Sequence, residues 1–180
     1  LSGIPGTVGA VPVQNVGAYG AEISEVLTRV RLYNRRTDSD EWVPASDLEL
    51  AYRYSNLKFT GRAVVLEVEL QLDTEGLSRP LRFGQLTQNP GGRRPVAEVR
   101  EEVLKLRRGK GMVLDPTDHD TWSAGSFFTN PVVDSALADA VQAKVRASLG
   151  DATADSMPRH PSAEDGREKL SAAWLIDRAG

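Results

Sequence analysis

The chain has 180 residues, 40% hydrophobic and 26% charged, with 22 Lys and Arg against 25 Asp and Glu for a net charge of −3. That length can bury a core as one large or two small domains, and the near-neutral balance gives no electrostatic case for a nucleic-acid partner. Cysteine is absent, which excludes a disulfide framework and a thiolate metal site and makes a reducing compartment, the cytoplasm, the default expectation.

No apolar run reaches the roughly 18 residues needed to span a bilayer, and no basic-then-apolar leader opens the chain, so no membrane partner is expected. The chain starts at Leu1 inside a glycine-rich motif and stops at Gly180 after a helical run. A piece lacking both ends of a longer protein is the expectation.

Gly3, Gly6, Gly9, Gly17 and Gly20, with Pro5 and Pro12, make residues 1–20 a charge-free loop. Glycine lets another group approach the backbone closely, so a flat ligand could lie there. Alternation from Glu25 to Arg36 predicts a strand, Thr37 to Asp40 a turn, and the stretch through Trp42 a short return strand. Arg62 to Leu72 alternates best, with Val64, Leu66, Val68, Leu70 and Leu72 on one face of a strand. After Asp73, Thr74-Glu75-Gly76 and Asn89-Pro90-Gly91-Gly92 punctuate the chain and suggest a domain boundary.

Helical spacing follows. Val96, Val99, Val103 and Leu106 predict a helix over about 95–108, with Pro95 in its first turn and Gly109 past its end. Leu137, Val141, Val145 and Leu149 predict a second over about 135–149, stopped by Gly150. Asp151 to Glu168 reads as polar loop. A last helix is expected after Ser171 as N-cap, with Leu170 and Leu175 as a hydrophobic staple.

The opening loop lacks the G-x-G-x-x-G order after a strand and the Lys-Ser/Thr ending of a P-loop, so neither nucleotide fold is indicated. By composition alone such a loop is structural more often than a cofactor cradle. Its full wording resembles something narrower. Ile4-Pro5-Gly6-Thr7-Val8-Gly9, then Pro12-Val13-Gln14-Asn15-Val16-Gly17-Ala18-Tyr19-Gly20, is similar to the flavin-contacting loop of the UDP-N-acetylenolpyruvoylglucosamine reductase (UDP-N-acetylmuramate dehydrogenase) family.

Three further segments occur in family order. Tyr52-Arg53-Tyr54-Ser55 resembles the segment whose arginine polarises the substrate carboxylate, a role suited to a planar guanidinium, although Arg53 alone reads equally as a surface arginine. Gly125-Ser126-Phe127-Phe128 with Asn130-Pro131 is similar to the segment bearing the serine proton donor, against the bland reading of a serine in a helix-leading turn. Lys169 to Asp177 resembles the family's late helix.

The resemblance departs at Thr129, where relatives carry lysine, and at Phe83, which keeps the ring but not the hydroxyl of a tyrosine that closes over the uridine diphosphate. Arg107 and Lys110, an ordinary solvated run on a helix end, become candidate diphosphate or substrate ligands in that context. His119 stands among Asp115, Asp118 and Asp120 without ligand spacing, so no metal site is expected. There is no G-x-S-x-G elbow to make Ser126 a hydrolase nucleophile.

The resemblance implies an α+β flavoprotein of the vanillyl-alcohol-oxidase/PCMH type, with residues 1–74 the later part of an FAD-binding domain and 75–180 a substrate domain incomplete at its C-terminus. It implies an NADPH-dependent oxidoreductase that uses FAD to reduce UDP-N-acetylglucosamine enolpyruvate to UDP-N-acetylmuramate in peptidoglycan and cell-wall synthesis, and hence in cell shape and division. Ile4, Pro5, Gly6, Thr7, Val8, Gly9, Gly17, Ala18, Tyr19 and Gly20 would contact the cofactor. Arg53 and Ser126 would be catalytic, with Tyr52, Arg53, Phe83, Arg107, Lys110 and Asn130 at the substrate. A monomer is expected, and this piece alone is expected to be inactive. A non-catalytic sugar-nucleotide-binding relative and an unrelated interaction module remain the alternatives, the first disfavoured by the joint presence of Arg53 and Ser126, the second by two chemically distinct motifs and a late helix in family order.

Overall fold

In the computed structural model, which describes every residue except Phe83, Gln88, Ala124, Ala163 and Gly180, the glycine-rich opening is a loop with defined turns. Two short 3-10 turns, Val8–Ala10 and Pro12–Gln14, lead into a miniature antiparallel hairpin of β1 (Gly17–Ala18) and β2 (Ala21–Glu22).

Three antiparallel strands follow, β3 (Leu27–Asn34), β4 (Ser39–Pro44) and β5 (Ala63–Leu70), in the order β4-β3-β5. Alternate residues of a strand share a face, and Val30 and Leu32 point into a core completed by Ile23, Leu27, Leu48 and Leu57. Fully burying such a side chain contributes about 1.5–3 kcal/mol, so this cluster anchors the sheet beneath the opening loop.

The face expected for β5 is corrected by the structure. Between Arg31 and Leu32 the β5 partner jumps from Glu67 to Val65, leaving Leu66 as an extra residue. Such a bulge reverses the alternation. Ala63 and Val65 pack on the core before it and Val68 and Leu70 after it, while Val64 and Leu66 are exposed. The opposite face carries ion pairs: Arg29 grips Glu69 at 2.7 Å and stacks 4.4 Å over Trp42, and Arg31 bonds Asp40 and Glu67.

Helix α1 (Val96–Arg108) buries Val103 and Leu104. Val103 joins Leu81 and Leu86 in a second cluster, against which Tyr19 of the opening loop packs. A Cβ on Gly3 would stand 2.9 Å from Leu104. Those contacts explain why the first compact unit runs from Leu1 to Ser123, with the expected division at residue 74 inside it.

The second compact unit is Ala124–Gly180. It contains β6 (Val132–Asp134), α2 (Ser135–Leu149), α3 (Asp151–Asp155), β7 (Arg159–Pro161), β8 (Arg167–Leu170) and α4 (Ala172–Ala179), with strand order β6-β8-β7. The polar-loop reading of Asp151–Glu168 is therefore overturned. Its charges are partly spent on structure: Arg159 bonds Glu168 at 2.6 Å and Asp139 at 2.8 Å, pairing β7 with β8 and with α2.

On α2 Ala138 is buried and Val141 and Val145 are partly buried against the same cluster, while Leu137 and Leu149 of the expected stripe are exposed. Asp134 caps α2 by accepting from the Leu137 amide at 2.7 Å. Ser171 Oγ accepts from Trp174 N at the start of α4, and Leu170, 1% exposed, packs with Leu175 as the staple requires.

Candidate active site

Two distant stretches meet at Asn15. It adopts the left-handed conformation at φ 43°, which asparagine tolerates better than most residues, and is 1% exposed. Its Oδ1 accepts from Ser24 N at 3.0 Å, while Nδ2 donates to Glu22 Oε2 at 2.9 Å and to the Ala51 carbonyl at 3.0 Å. The last bond ties the opening loop to the turn that carries Tyr52 and Arg53. Ser55, fully buried, adds a second tie by donating to the Val13 carbonyl at 2.6 Å.

Arg53 sits in that turn at φ 53°, an unusual conformation for an arginine. Lys58 Nζ holds its carbonyl at 2.8 Å. Its guanidinium lies 4.9 Å over the Tyr52 ring, and Nη2 donates to the Gly17 carbonyl at 2.6 Å. Among the described residues Nη1 is buried without a hydrogen-bond partner, 3.8 Å from Glu22 Oε1. A buried donor left unmatched is rare in folded proteins. Thus the arginine and the glycine-rich loop, 36 residues apart in sequence, are in direct contact.

Within the loop the expected cofactor residues divide into two kinds. Pro5, Gly6, Thr7, Val8 and Gly20 are exposed, and nothing lies within 4 Å of where a Cβ on Gly6 would stand, at φ 121°. Ile4, Gly9, Gly17, Ala18 and Tyr19 are partly buried. Gly9 backs onto β5, since a Cβ there would be 3.3 Å from the Val65 carbonyl.

Arg107 turns inward: Nη2 donates to the carbonyls of Met112 at 2.7 Å and Gly3 at 3.4 Å, and Nε is buried without a hydrogen-bond partner among the described residues. Lys110 is exposed in the turn after α1. Phe83 lies outside the described residues.

In the second unit, Ser126 is exposed in a segment without regular structure after Gly125, which has φ 74°, and its hydroxyl makes no hydrogen bond among the described residues. Phe127 and Phe128, 87% and 61% exposed, stack edge to face at 5.0 Å beside it. Asn130 has a structural bond: its Oδ1 accepts from Ala172 N at 3.0 Å, at the head of α4.

The sequence reading passed over Asn15 and Glu22. The available signal was an asparagine inside a tight glycine loop, a residue prone to positive φ, with a carboxylate seven positions on. Among the described residues no cluster of three His, Cys, Asp or Glu could hold a metal. His119 stacks edge-on with Trp122 at 4.7 Å, and the Thr117 hydroxyl and amide hold the nearby Asp115 carboxyl below its ordinary value. A cleft of about 880 Å³ opens beside Val26, Leu72, Leu77, Arg79 and Arg93, and among the described residues none of the proposed site residues lines it.

Curated relatives decide the family. UDP-N-acetylenolpyruvoylglucosamine reductase 2 of Corynebacterium glutamicum is 66% identical over 187 aligned residues, which cover 100% of this chain and 49% of the relative. The chain belongs to the UDP-N-acetylenolpyruvoylglucosamine reductase family. Reductases of that name from Corynebacterium diphtheriae and Saccharopolyspora erythraea are 62% and 57% identical, again over 100% of this chain and over 46% and 50% of their own lengths. The chain thus spans about half the length of the curated reductases it matches. No protein-family model matches it. A solved reductase of this name from Thermus caldophilus aligns with 99% of this chain and 56% of its own at 18% identity, with a TM-score of 0.45.

Proposed function

We propose that the full-length protein is an NADPH-dependent, FAD-mediated reductase that converts UDP-N-acetylglucosamine enolpyruvate to UDP-N-acetylmuramate in the cytoplasm, for peptidoglycan synthesis. The observation that carries the reading is the 66% identity, over an alignment that takes in the whole chain, to a relative of that name. In this reading residues 1–74 belong to a PCMH-type FAD-binding domain and 75–180 to a substrate domain.

The exposed backbone of Pro5 to Val8 and Gly20 would hold the flavin ring. When bound, the flavin supplies the hydride delivered to the enolpyruvyl C3 carbon. What this chain's residues contribute is charge and a proton. Negative charge develops over C2 and the carboxylate as the double bond is reduced, and a fixed cation aimed at those oxygens lowers the barrier. Arg53 takes that part through its unmatched Nη1. The Ser126 hydroxyl then gives its proton to C2; an enolate is basic enough to take it from a donor within hydrogen-bond reach. Tyr52 holds the guanidinium from below, while Arg107, Lys110, Phe83 and Asn130 are proposed around the sugar nucleotide. For Asn130 the bond to Ala172 N makes the effect indirect, by fixing the segment that carries Ser126.

Purified full-length protein should copurify with a yellow flavin and oxidise NADPH only when the enolpyruvyl nucleotide is present. A flavin-free protein, or NADPH oxidation indifferent to that nucleotide, sinks the reading.

A further inference from the structure

We infer that Glu22 is a positioning residue for the Arg53 guanidinium, itself held by Asn15, and this rests on the reading of Arg53 as the arginine that meets the substrate carboxylate. Glu22 has one oxygen fixed: Oε2 accepts from the buried Asn15 amide at 2.9 Å. The other, Oε1, stands 3.8 Å from Arg53 Nη1. That is ion-pair distance without a hydrogen bond. The carboxylate attracts the guanidinium yet leaves the Nη1 hydrogens uncommitted, because Asn15, together with the Glu25 amide that the Glu22 side chain also accepts in a capping box, holds it back.

At the other end of the fork, Nη2 is pinned to the Gly17 carbonyl at 2.6 Å. A planar group restrained at both nitrogens keeps one orientation, and bidentate recognition of a carboxylate depends on that orientation. The sequence protects the arrangement. A side chain on Gly17 would meet Glu22 Cγ at 2.7 Å and Arg53 Nη1 at 3.1 Å, so only glycine lets the two charged groups stand side by side here.

The test is a cycle of Glu22→Gln and Arg53→Ala in the full-length, flavin-loaded protein. Glutamine keeps the length of the side chain and can still accept from Asn15. Flavin reduction by NADPH should be unchanged in Glu22→Gln, while reoxidation by the enolpyruvyl nucleotide slows about 10- to 100-fold, as for other misplacements of a reacting group. Calorimetry gives a second readout without turnover: UDP-N-acetylmuramate, which carries a carboxylate, should bind more weakly, and UDP-N-acetylglucosamine, which lacks it, equally well.

In the Arg53→Ala background Glu22→Gln should add less than about twofold, since its effect passes through the arginine. Additive losses overturn the inference, as does equal weakening of both nucleotides. Tighter binding of UDP-N-acetylmuramate also overturns it, because Glu22 would then act only as a charge competing with the substrate. If Arg53→Ala is itself reoxidised at the normal rate, the assignment of Arg53 falls and the inference with it. Should the glutamine variant lose its flavin, Glu22→Asp carries the same nucleotide comparison, with selective loss of UDP-N-acetylmuramate binding expected and equal loss overturning the inference.

Discussion

The Gly17 carbonyl accepts the Arg53 Nη2 at 2.6 Å, joining the glycine-rich loop to the arginine turn. Asn15 and Ser55 brace the same junction from within, with bonds to Ala51 and Val13. The proposed cofactor loop and the proposed carboxylate ligand therefore form one braced element, and substitutions in one should be felt in the other.

Gly17→Ala is the most direct probe of that junction. The added methyl would stand 2.7 Å from Glu22 Cγ and 2.8 Å from the Ala21 carbonyl, so something must shift. Overpacking of this kind costs about 1–3 kcal/mol. Urea denaturation should report that loss, and reoxidation by the enolpyruvyl nucleotide should slow beyond what the lost stability explains. Wild-type stability together with wild-type rates would show that the junction is not tight in solution.

Ser126→Ala separates the two half-reactions. Flavin reduction by NADPH needs no proton for the substrate carbon and should stay near normal. Reoxidation should slow by about 10²- to 10⁴-fold, the range for a lost general acid. Stopped-flow absorbance of the flavin resolves both steps, and equal slowing of the two would make Ser126 structural.

Asn130→Ala distinguishes a structural from a ligand role. Losing the acceptor for Ala172 N should destabilise the protein by about 0.5–2 kcal/mol, as loss of a helix cap does. Thermal unfolding without nucleotide reads this directly. An unchanged transition with weakened nucleotide binding would assign Asn130 to the substrate instead.

The Arg159–Glu168 pair predicts a pH dependence with a definite sign. The hydrogen bond from Arg159 holds the Glu168 carboxyl below its ordinary 4.5. A depressed folded value means the pair contributes fully above the unfolded pKa, and its contribution is lost as pH falls through the folded one. Glu69, lowered by Arg29 and then Thr28, acts in the same direction in the first sheet. Stability should therefore be flat near neutrality and decline below about pH 4.5. Glu168→Gln should flatten part of that decline in denaturation curves taken across the range, and an unaltered acid slope would count against the pair.

The sequence by itself determined the period of each long element: alternation marked β3 and β5, and four-residue spacing with Pro95, Gly109 and Gly150 bounded α1 and α2. It also carried the family motifs around Gly6, Arg53 and Ser126, because a motif is a local order of residue types. What it could not decide were features set by contacts between distant residues. The bulge at Leu66 depends on how β5 registers against β3, and one extra residue there moved Val64 and Leu66 to solvent. The short elements between Asp151 and Leu170 hold together through Arg159 reaching Glu168 and Asp139, too few residues each to show a period. Likewise the Asn15–Glu22–Arg53 arrangement exists only once the loop folds back on the turn 36 residues later, where a buried amide fixes one carboxylate oxygen and leaves an arginine donor unmatched.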